Sequence, residues 1–329
     1  LHYPLRRQRQ MCIRDRSVLL DGVFNHVSRR NRIVQDAQSA GPDSDAGRMV
    51  RWCAGRLDVF EGHSDLVALN HDNPAVREHV TRIMNYWCGR GVDGWRLDAA
   101  YSVNPEFWAA VLPSVREKYP DVWIFGEVIH GDYASIVRAS GMDSVTQYEL
   151  WKGIWSSIES RNFFELDHAL GRHNEFSDVF TPVTFVGNHD VTRIASRVGQ
   201  DGAVLATAIL ATIGGIPLIY YGDELAYRGV KEERFGGDDD IRPVFPASPA
   251  DLSNLGADTL RAHQSLLGLR RRHPWLVDAR TESLDLTNER YVYRTGVPGV
   301  EPLIVELDVR DGCSVLIREV GQVVWSSGA

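Results

Sequence analysis

Three acidic residues, each closing an apolar run, have the types and the order needed to cleave a glycosidic bond. The runs are Gly91-Val-Asp-Gly-Trp-Arg-Leu-Asp98, Val122-Trp-Ile-Phe-Gly-Glu127 and Val183-Thr-Phe-Val-Gly-Asn-His-Asp190. Hydrolysis with retention uses two carboxyl groups about 5–5.5 Å apart, one as the nucleophile and one as the acid and base. The carboxylates therefore make sugar chemistry the first hypothesis.

The residues around the first two carboxylates predict opposite protonation states for them. Arg96 lies two residues before Asp98 and therefore on the same side of an extended strand. A guanidinium there is expected to lower the pKa of Asp98 and to keep this nucleophile ionised. Glu127 follows the apolar residues 122–125, where desolvation is expected to raise its pKa and to hold a proton.

A third carboxylate and two imidazoles complete the set. Asp190 is suited to hold sugar hydroxyls and to stabilise a transition state with oxocarbenium character, while His26 and His189 are neutral groups that can donate and accept hydrogen bonds. A single acidic residue after a strand is by default a solvated residue or a helix cap. The occurrence of the three carboxylates and two imidazoles together and in this order favours the functional interpretation over that default.

Strand-like apolar runs deliver these groups, and helical stretches separate the runs. The pattern predicts six strands, near residues 20, 95, 124, 145, 185 and 218. It also predicts helices that begin at Asn73-Pro74 and Asn104-Pro105, one helix over 149–170, and another over 256–272. A (β/α)₈ barrel gathers its catalytic residues at the carboxyl ends of eight such strands. The predicted fold class is therefore an α/β TIM barrel that lacks its first two strands.

The domain organisation follows from changes in pattern along the chain. Residues 1–16 are rich in Arg and aperiodic, and we interpret them as an extraneous or disordered tail. Residues 17–275 are the partial catalytic barrel, with residues 28–72 as an insert because this irregular stretch is too long for an ordinary connection. Residues 276–329 change to short alternating runs, which predict a small C-terminal β domain, complete or truncated.

Composition excludes some partners. The net charge of −8 argues against nucleic acids and anionic membranes, which need clustered positive charge. The uncharged stretch 202–222 is long enough to span a bilayer, but Gly214-Gly215 and Pro217 interrupt it, which favours a buried helix, a turn and a strand. A cytoplasmic location is expected, and the oligomeric state is open. Free thiols are expected for the scattered cysteines, which are Cys12, Cys53, Cys88 and Cys313.

Four segments resemble, in order, the signature regions of the α-amylase superfamily of retaining glycoside hydrolases. They are Asp21-Gly-Val-Phe-Asn-His26, Gly94-Trp-Arg-Leu-Asp98, Gly126-Glu-Val128 and Phe185-Val-Gly-Asn-His-Asp190. Tyr220-Tyr-Gly-Asp-Glu224 is similar to the stretch that follows the eighth strand of that family. The resemblance extends over about residues 17–272.

This resemblance implies roles for individual residues. It implies Asp98 as the nucleophile, Glu127 as the general acid and base, and Asp190 as the transition-state stabiliser. The residues that would contact or orient the reacting sugar are Arg96, His26 and His189. Asp21 would support these residues without touching the sugar. The implied substrate is an α-glucan or oligosaccharide, with no organic cofactor.

The sequence also departs from the family pattern or leaves alternatives open. Tyr101-Ser102 stands where many endo-acting amylases have a Lys-His pair, which favours the oligosaccharide-acting branch. Asn25 matches a calcium-ligand position of some members, but capping of local backbone is an equal alternative, and no metal site is assigned. Asp239 and Arg242 belong either to a solvated loop or to contacts with a second sugar.

The function predicted from these features is a retaining glycoside hydrolase that cleaves α-glucosidic bonds in malto-oligosaccharides or related α-glucans. A transglycosylase or glucoside isomerase on the same scaffold is the first alternative, because acceptor choice depends on pocket shape. The second alternative is an inactive gene fragment, because two missing strands would leave exposed sheet edges.

Overall fold

The computed structural model describes residues 16–234 and 236–327. The predicted tail 1–16 lies outside the described residues except for Arg16, and so does Cys12. The chain divides into two compact units, Leu1–Val145 and Thr146–Ala329.

The first unit is built on a parallel sheet. Its strands are β1 (Leu19–Gly22), β2 (His26–Ser28), β3 (Trp52–Cys53), β4 (Arg56–Leu57), β5 (Leu66–Ala68), β6 (Gly94–Leu97), β7 (Trp123–Gly126) and β8 (Ser144–Val145). Its α-helices are α1 (Arg32–Ala40), α2 (Pro74–Cys88), α3 (Pro105–Arg116) and α4 (Tyr133–Ser140). Strands β1, β6, β7 and β8 lie side by side in that order, and their pairings are parallel.

Side chains that alternate along β6 separate the core from the site. Trp95 and Leu97 are buried, and Arg96 between them is directed to the opposite face because successive strand residues alternate. The Trp95 ring packs 5.8 Å from the ring of Phe24, which also contacts the fully buried Trp108 of α3. The large apolar rings therefore hold β6 in place while Arg96 stays available.

The two Asn-Pro helix starts predicted from the sequence are confirmed. The side chain of Asn73 accepts a hydrogen bond from the backbone N–H of Ala75 at the start of α2, and Asn104 accepts one from Glu106 at the start of α3. Proline fits the first turn because its missing N–H would have no partner there. The apolar face of α2, buried at helical spacing, comprises Val76, Val80, Met84 and Cys88.

The predicted insert, residues 28–72, contains more regular structure than its sequence indicates. It holds α1, the short antiparallel pair β3–β4, and β5, which pairs with β2. These strands have two or three residues each, which is too short for an alternating pattern to be recognised.

The second unit combines helices with two sheets. Its α-helices are α5 (Tyr148–Glu159), α6 (Phe163–Ser177), α7 (Ile194–Thr212) and α8 (Ala257–Arg272). Its strands are β9 (Val183–Phe185), β10 (Ile216–Leu218), β11 (Arg280–Leu286), β12 (Arg290–Gly296), β13 (Leu303–Asp308), β14 (Ser314–Glu319) and β15 (Gln322–Ser326). Strands β9 and β10 pair in parallel, and β11 to β15 form an antiparallel sheet in sequence order that shares one buried core with α5 to α8.

The single helix predicted over 149–170 is wrong. The structure has α5 and α6 instead, because the chain turns at Arg161, which has a φ of 53°, and Asn162 then caps α6 by accepting a hydrogen bond from Phe164 N. The interpretation of stretch 202–222 is correct: α7 ends at Thr212, Gly214-Gly215 follows, and β10 comes next. Within residues 16–234 and 236–327, no helix is both long and apolar enough to cross a membrane.

The six predicted parallel strands are all present, as β1, β6, β7, β8, β9 and β10. The described residues do not form a closed barrel, however: these strands lie in one sheet of four and one sheet of two. Closure requires a continuous, staggered ring of strands, and a TIM barrel uses eight. The closed ring implied by the family fold is therefore not observed in the part of the chain that the structure describes.

Candidate active site

Strand register places the first two catalytic candidates beside one another. Arg96 of β6 pairs with Phe125 of β7, and Leu97 pairs with Gly126, so Asp98 and Glu127 are the next residues along two adjacent parallel strands. Asp21 of β1 lies opposite Arg96 on the other side. The carboxyl ends of β1, β6 and β7 therefore converge, as predicted for parallel strands that end at acidic residues.

One guanidinium joins three carboxylates at this point. Arg96 Nη1 lies 2.7 Å from Asp21 Oδ1 and 3.0 Å from Asp98 Oδ1, while Arg96 Nη2 lies 2.9 Å from Glu127 Oε1. The planar fork of arginine can make these contacts at the same time, which the single ammonium of lysine cannot do with the same geometry. The contacts to Asp21 and Glu127 were not predicted from sequence.

The prediction for the pKa of Asp98 is wrong in direction. Burial raises the pKa of Asp98, and the charges of Glu127 and Asp21 raise it too, whereas Arg96 lowers it. Arg96 does not dominate because burial is the largest of these effects and the two neighbouring carboxylates add to it. The carboxyl group of Asp98 therefore ionises above its usual range rather than below it.

His26 stands next to Asp98 in a neutral form. Its Nε2 lies 4.0 Å from Asp98 Oδ2, and burial lowers its pKa more than the charges of Asp98 and Glu61 raise it. A neutral imidazole can both donate and accept a hydrogen bond, as predicted for a group that contacts sugar hydroxyls.

The turn after Asp98 carries strained backbone that serves Glu127. Ala99 has a φ of 45° and a ψ of 39°, a left-handed conformation that costs an L-residue about 1–2 kcal/mol. In this conformation its backbone N–H donates to Glu127 Oε2 over 3.0 Å. The buried Glu127 carboxylate is thus held at one oxygen by Ala99 and at the other by Arg96.

Aromatic side chains pack beside His26 and the turn after Asp98, and one of them, Phe60, was missed by sequence reasoning. The Phe60 ring stacks on His26 with centroids 4.7 Å apart, and it also lies 6.5 Å from the Tyr101 ring. The Tyr101 hydroxyl donates to Glu61 over 2.7 Å, and Glu61 is held at a φ of 47°. The Tyr101 N–H donates to the carbonyl oxygen of Glu127. The sequence gives no signal for Phe60 and Glu61, because they lie in the insert.

The second unit holds its own cluster around Asp190. His189 Nε2 lies 3.1 Å from Asp190 Oδ2, and Arg242 Nη2 lies 2.7 Å from Asp190 Oδ1. Arg242 Nε also donates to the carbonyl oxygen of His189 over 2.7 Å, and its Nη2 pairs with Asp238. Arg242 therefore lies beside Asp190, while Asp239 is exposed in the same loop.

Asn25 does not cap the local backbone through its side chain, so that alternative is wrong. Its Nδ2 lies 3.3 Å from His26 Nδ1, and its fully buried Oδ1 has no hydrogen-bond partner within the described part of the chain. One such oxygen falls short of the roughly six to eight oxygen ligands that calcium takes. Residues 16–234 and 236–327 contain no group of three or more His, Cys, Asp or Glu side chains that could hold a metal ion.

The thiols follow expectation where the structure describes them. Cys53, Cys88 and Cys313 are free.

The fold and the site together define a class of protein. It is an α/β protein in which strands and helices alternate and in which acidic groups lie at the carboxyl ends of parallel strands.

Comparison with known proteins identifies the family. The family described as "Alpha amylase, catalytic domain" matches residues 56–280, more than half of the chain. The chain belongs to this α-amylase family. It is 30% identical over 283 residues to the maltogenic alpha-amylase of Bacillus acidopullulyticus, an alignment that covers 79% of this chain and 46% of that protein.

Two further proteins extend the comparison. Alpha-amylase 3 of Dictyoglomus thermophilum is 33% identical over 186 residues, covering 52% of this chain and 37% of that protein. The crystal structure of an alpha-amylase from H. orenii superposes with a TM-score of 0.74 at 24% identity, covering 89% of this chain and 70% of the other. This likeness shows the (β/α)₈ class of fold. The chain spans less than half the length of the two curated relatives.

Proposed function

We propose that this chain carries the catalytic centre of a retaining glycoside hydrolase that acts on α-glucosidic bonds of malto-oligosaccharides or related α-glucans. The observation that supports it best is the bridge from one guanidinium, that of Arg96, to both Asp98 and Glu127 at the ends of adjacent strands. Relatives named maltogenic alpha-amylase and cyclomaltodextrinase support the substrate class.

In the proposed reaction two carboxyl groups act on one anomeric carbon. Glu127 donates a proton to the glycosidic oxygen as the bond to the leaving sugar breaks, and Asp98 attacks the anomeric carbon to form a glycosyl ester. Glu127, now ionised, removes a proton from water, and the resulting oxygen nucleophile displaces Asp98. The net change is the addition of one water across the bond, without an organic cofactor.

The remaining groups hold the sugar and its charge. In the proposal, Asp190 accepts hydrogen bonds from sugar hydroxyls and stabilises the positive charge that develops at the anomeric centre. His26 and His189 contact hydroxyls of the same sugar, and Asp239 and Arg242 contact a second sugar. Arg242 must then exchange part of its contact with Asp190 for a sugar hydroxyl.

The domain organisation belongs to the same proposal. In the proposal, residues 17–275 correspond to a (β/α)₈ catalytic domain without its first two strands and with the insert 28–72, and residues 276–329 correspond to a small C-terminal β domain. A cytoplasmic location remains a prediction from the sequence. Expression beside a version with a restored N-terminal βαβα portion tests the truncation: equal solubility and activity in the two proteins would contradict it.

Product stereochemistry gives a direct test of the mechanism. Incubation with maltotriose should release products whose new reducing end is initially the α-anomer, because two inversions at one carbon restore its configuration. Proton NMR within the first minutes distinguishes the anomers before mutarotation. An initial β-anomer would exclude a nucleophilic role for Asp98, even if the protein cleaves the bond.

The aromatic rings beside Glu127 give one specific reason to consider transglycosylation. The Tyr101 N–H donates to the carbonyl oxygen of Glu127, the residue that would activate water, and the Phe60 ring lies 6.5 Å from the Tyr101 ring. Aromatic rings are suited to hold an acceptor sugar. Chromatography of the maltotriose reaction separates the two functions. Products longer than maltotriose indicate transfer, whereas glucose and maltose alone indicate hydrolysis.

Removal of the Asp21 charge should shift the pH dependence of activity. The charge of Asp21 raises the pKa of Asp98, and Asp21 also competes for Arg96. A group that must be ionised is lost as pH falls through its pKa, so Asp21→Asn should move the acid limb of kcat/KM to lower pH. The exposed Asp121, changed to Asn, is the control. An acid limb that stays in place or moves to higher pH would contradict the shared-cation explanation.

A further inference from the structure

Arg193, which sequence reasoning did not single out, is fully buried and binds three backbone or side-chain groups of one loop region. Its Nη1 donates to Tyr221 O over 2.6 Å and to Asp223 Oδ1 over 2.9 Å, and its Nε donates to Ile241 O over 3.1 Å. The guanidinium carbon also lies 4.2 Å from the centroid of the Tyr220 ring. The side chain is 0% exposed.

Stability alone does not explain the ion pair between Arg193 and Asp223. Arg193 Nη2 and Asp223 Oδ2 are both buried and have no hydrogen-bond partner among the described residues. A buried charge pair must offset a large desolvation cost, and apolar side chains of similar volume often stabilise a fold equally well. The incompletely satisfied pair therefore suggests a role in geometry.

The contacts of Arg193 lead directly to the Asp190 cluster. Arg193 is three residues after Asp190, and it holds the carbonyl group of Ile241. The next residue, Arg242, contacts Asp190 Oδ1 and the carbonyl oxygen of His189. One side chain thus joins the segment that carries Asp190 to the segment that carries its cationic partner.

Asp223 supports the same segment from its other end. A Cβ atom added at Gly187 would lie only 2.5 Å from Asp223 Oδ2, so the carboxylate is in close contact with the backbone there. Gly187 begins the Gly-Asn-His-Asp sequence that ends at Asp190. Asp223 therefore lies against the chain just before the His189–Asp190 segment, and Arg193, to which it is paired, lies just after that segment.

We propose that Arg193 is a positioning residue which, through Asp223 and Ile241, sets the placement of Arg242 against Asp190 and so controls how Asp190 holds sugar. The effect on how Asp190 holds sugar rests on the proposed function, whereas the placement of Arg242 against Asp190 does not. Arg193 does not touch the reacting atoms in this arrangement. It acts through Arg242 and the backbone on either side of Asp190.

The placement can be tested by NMR without any catalysis. The Nε–H group of Arg242 donates to His189 O, so it should give a dispersed ¹H–¹⁵N signal, which Arg242→Gln identifies by its loss. Arg193→Lys should shift that signal toward the position of a solvent-exposed arginine. Arg172→Lys, which alters an ion-paired arginine of the same unit, should leave it in place.

The outcomes separate positioning from mere stabilisation. An unmoved Arg242 signal in folded Arg193→Lys protein would overturn the proposal. If this variant does not fold, the Arg242 signal is measured in Asp223→Asn instead, where a shift supports the proposal and an unmoved signal overturns it. Burial raises the pKa of Asp223 to about 6, so spectra are recorded at about pH 8, where the parent carboxylate is ionised.

Kinetics then test the consequence for sugar. Arg193→Lys should lower kcat for maltotriose by about tenfold at temperatures well below its unfolding transition, a scale typical of a misplaced supporting group. Combined with Arg242→Gln, it should add little further loss, since both changes act through one contact. Fully additive losses would overturn the proposal. An inactive parent protein with a shifted Arg242 signal would reject the hydrolase function but retain the positioning role.

Discussion

Replacement of Asp98 by Asn is expected to lower kcat for maltotriose hydrolysis by about 10⁴-fold or more, the scale on which loss of a catalytic nucleophile is felt. Asn has the size of Asp but cannot form the glycosyl ester, so the first displacement has no nucleophile. The contact between Asp98 Oδ1 and Arg96 Nη1 becomes a hydrogen bond from the charged guanidinium to a neutral amide oxygen, which preserves most of the local arrangement.

A matched control lies at the opposite end of the same strand segment. Asp93 directly precedes the amino end of β6, and its Oδ2 accepts a hydrogen bond from the backbone N–H of Val18. Asp93→Asn should lower the unfolding temperature and have little effect on kcat, because the amino-terminal ends of barrel strands contribute to stability. Assays of both variants with unfolding curves complete the test. Near-normal turnover by Asp98→Asn would refute the nucleophile assignment.

The neighbouring positions of Asp98 and Glu127 could be predicted from sequence because they follow from local patterns. Two apolar runs end at acidic residues, and parallel strands bring such ends to one edge of a sheet. The structure pairs Leu97 with Gly126, so the two carboxylates come next in register. The side of the sheet on which Arg96 lies followed from strand alternation alone.

The electrostatics of the site could not be predicted in this way. The pKa of a carboxyl group depends on the surrounding burial and on every nearby charge, and these are properties of tertiary structure. The sequence showed Arg96 beside Asp98 but not the competing contacts of Arg96 with Asp21 and Glu127. The prediction of a lowered Asp98 pKa was wrong because the sequence shows neither the burial of this carboxyl group, which is the largest effect, nor the nearby charges of Glu127 and Asp21.

Backbone features were missed where residue type gives no signal. Ala99 and Glu61 adopt left-handed conformations that usually favour Gly or Asn, so nothing in their identity predicts the turns. The break between α5 and α6 at Arg161 was missed for the same reason. Closure of a barrel depends on pairing between distant strands, which periodicity within each strand does not report.

Replacement of Arg96 by Met should lower kcat/KM by about 10³-fold, the upper range for loss of one electrostatic stabiliser. Met keeps an unbranched, flexible stem but leaves Asp21, Asp98 and Glu127 without their shared cation. Mutual repulsion then favours protonation of Asp98, which removes the nucleophile at neutral pH. The thermal stability of Arg96→Met should fall most at neutral pH and recover toward acidic pH, where the carboxyl groups are uncharged.

Two further variants show whether charge or geometry is responsible. Arg96→Lys restores the charge but cannot reach Asp98 and Glu127 with separate nitrogens of one plane, so most of the loss should persist. Arg116→Lys alters an ion pair with Asp143 elsewhere in the same unit and should leave kcat/KM within about twofold of the parent. Full activity in Arg96→Lys would show that a positive charge suffices and that the fork is dispensable. Full activity in Arg96→Met would remove the physical basis for assigning Asp98 and Glu127 to one site.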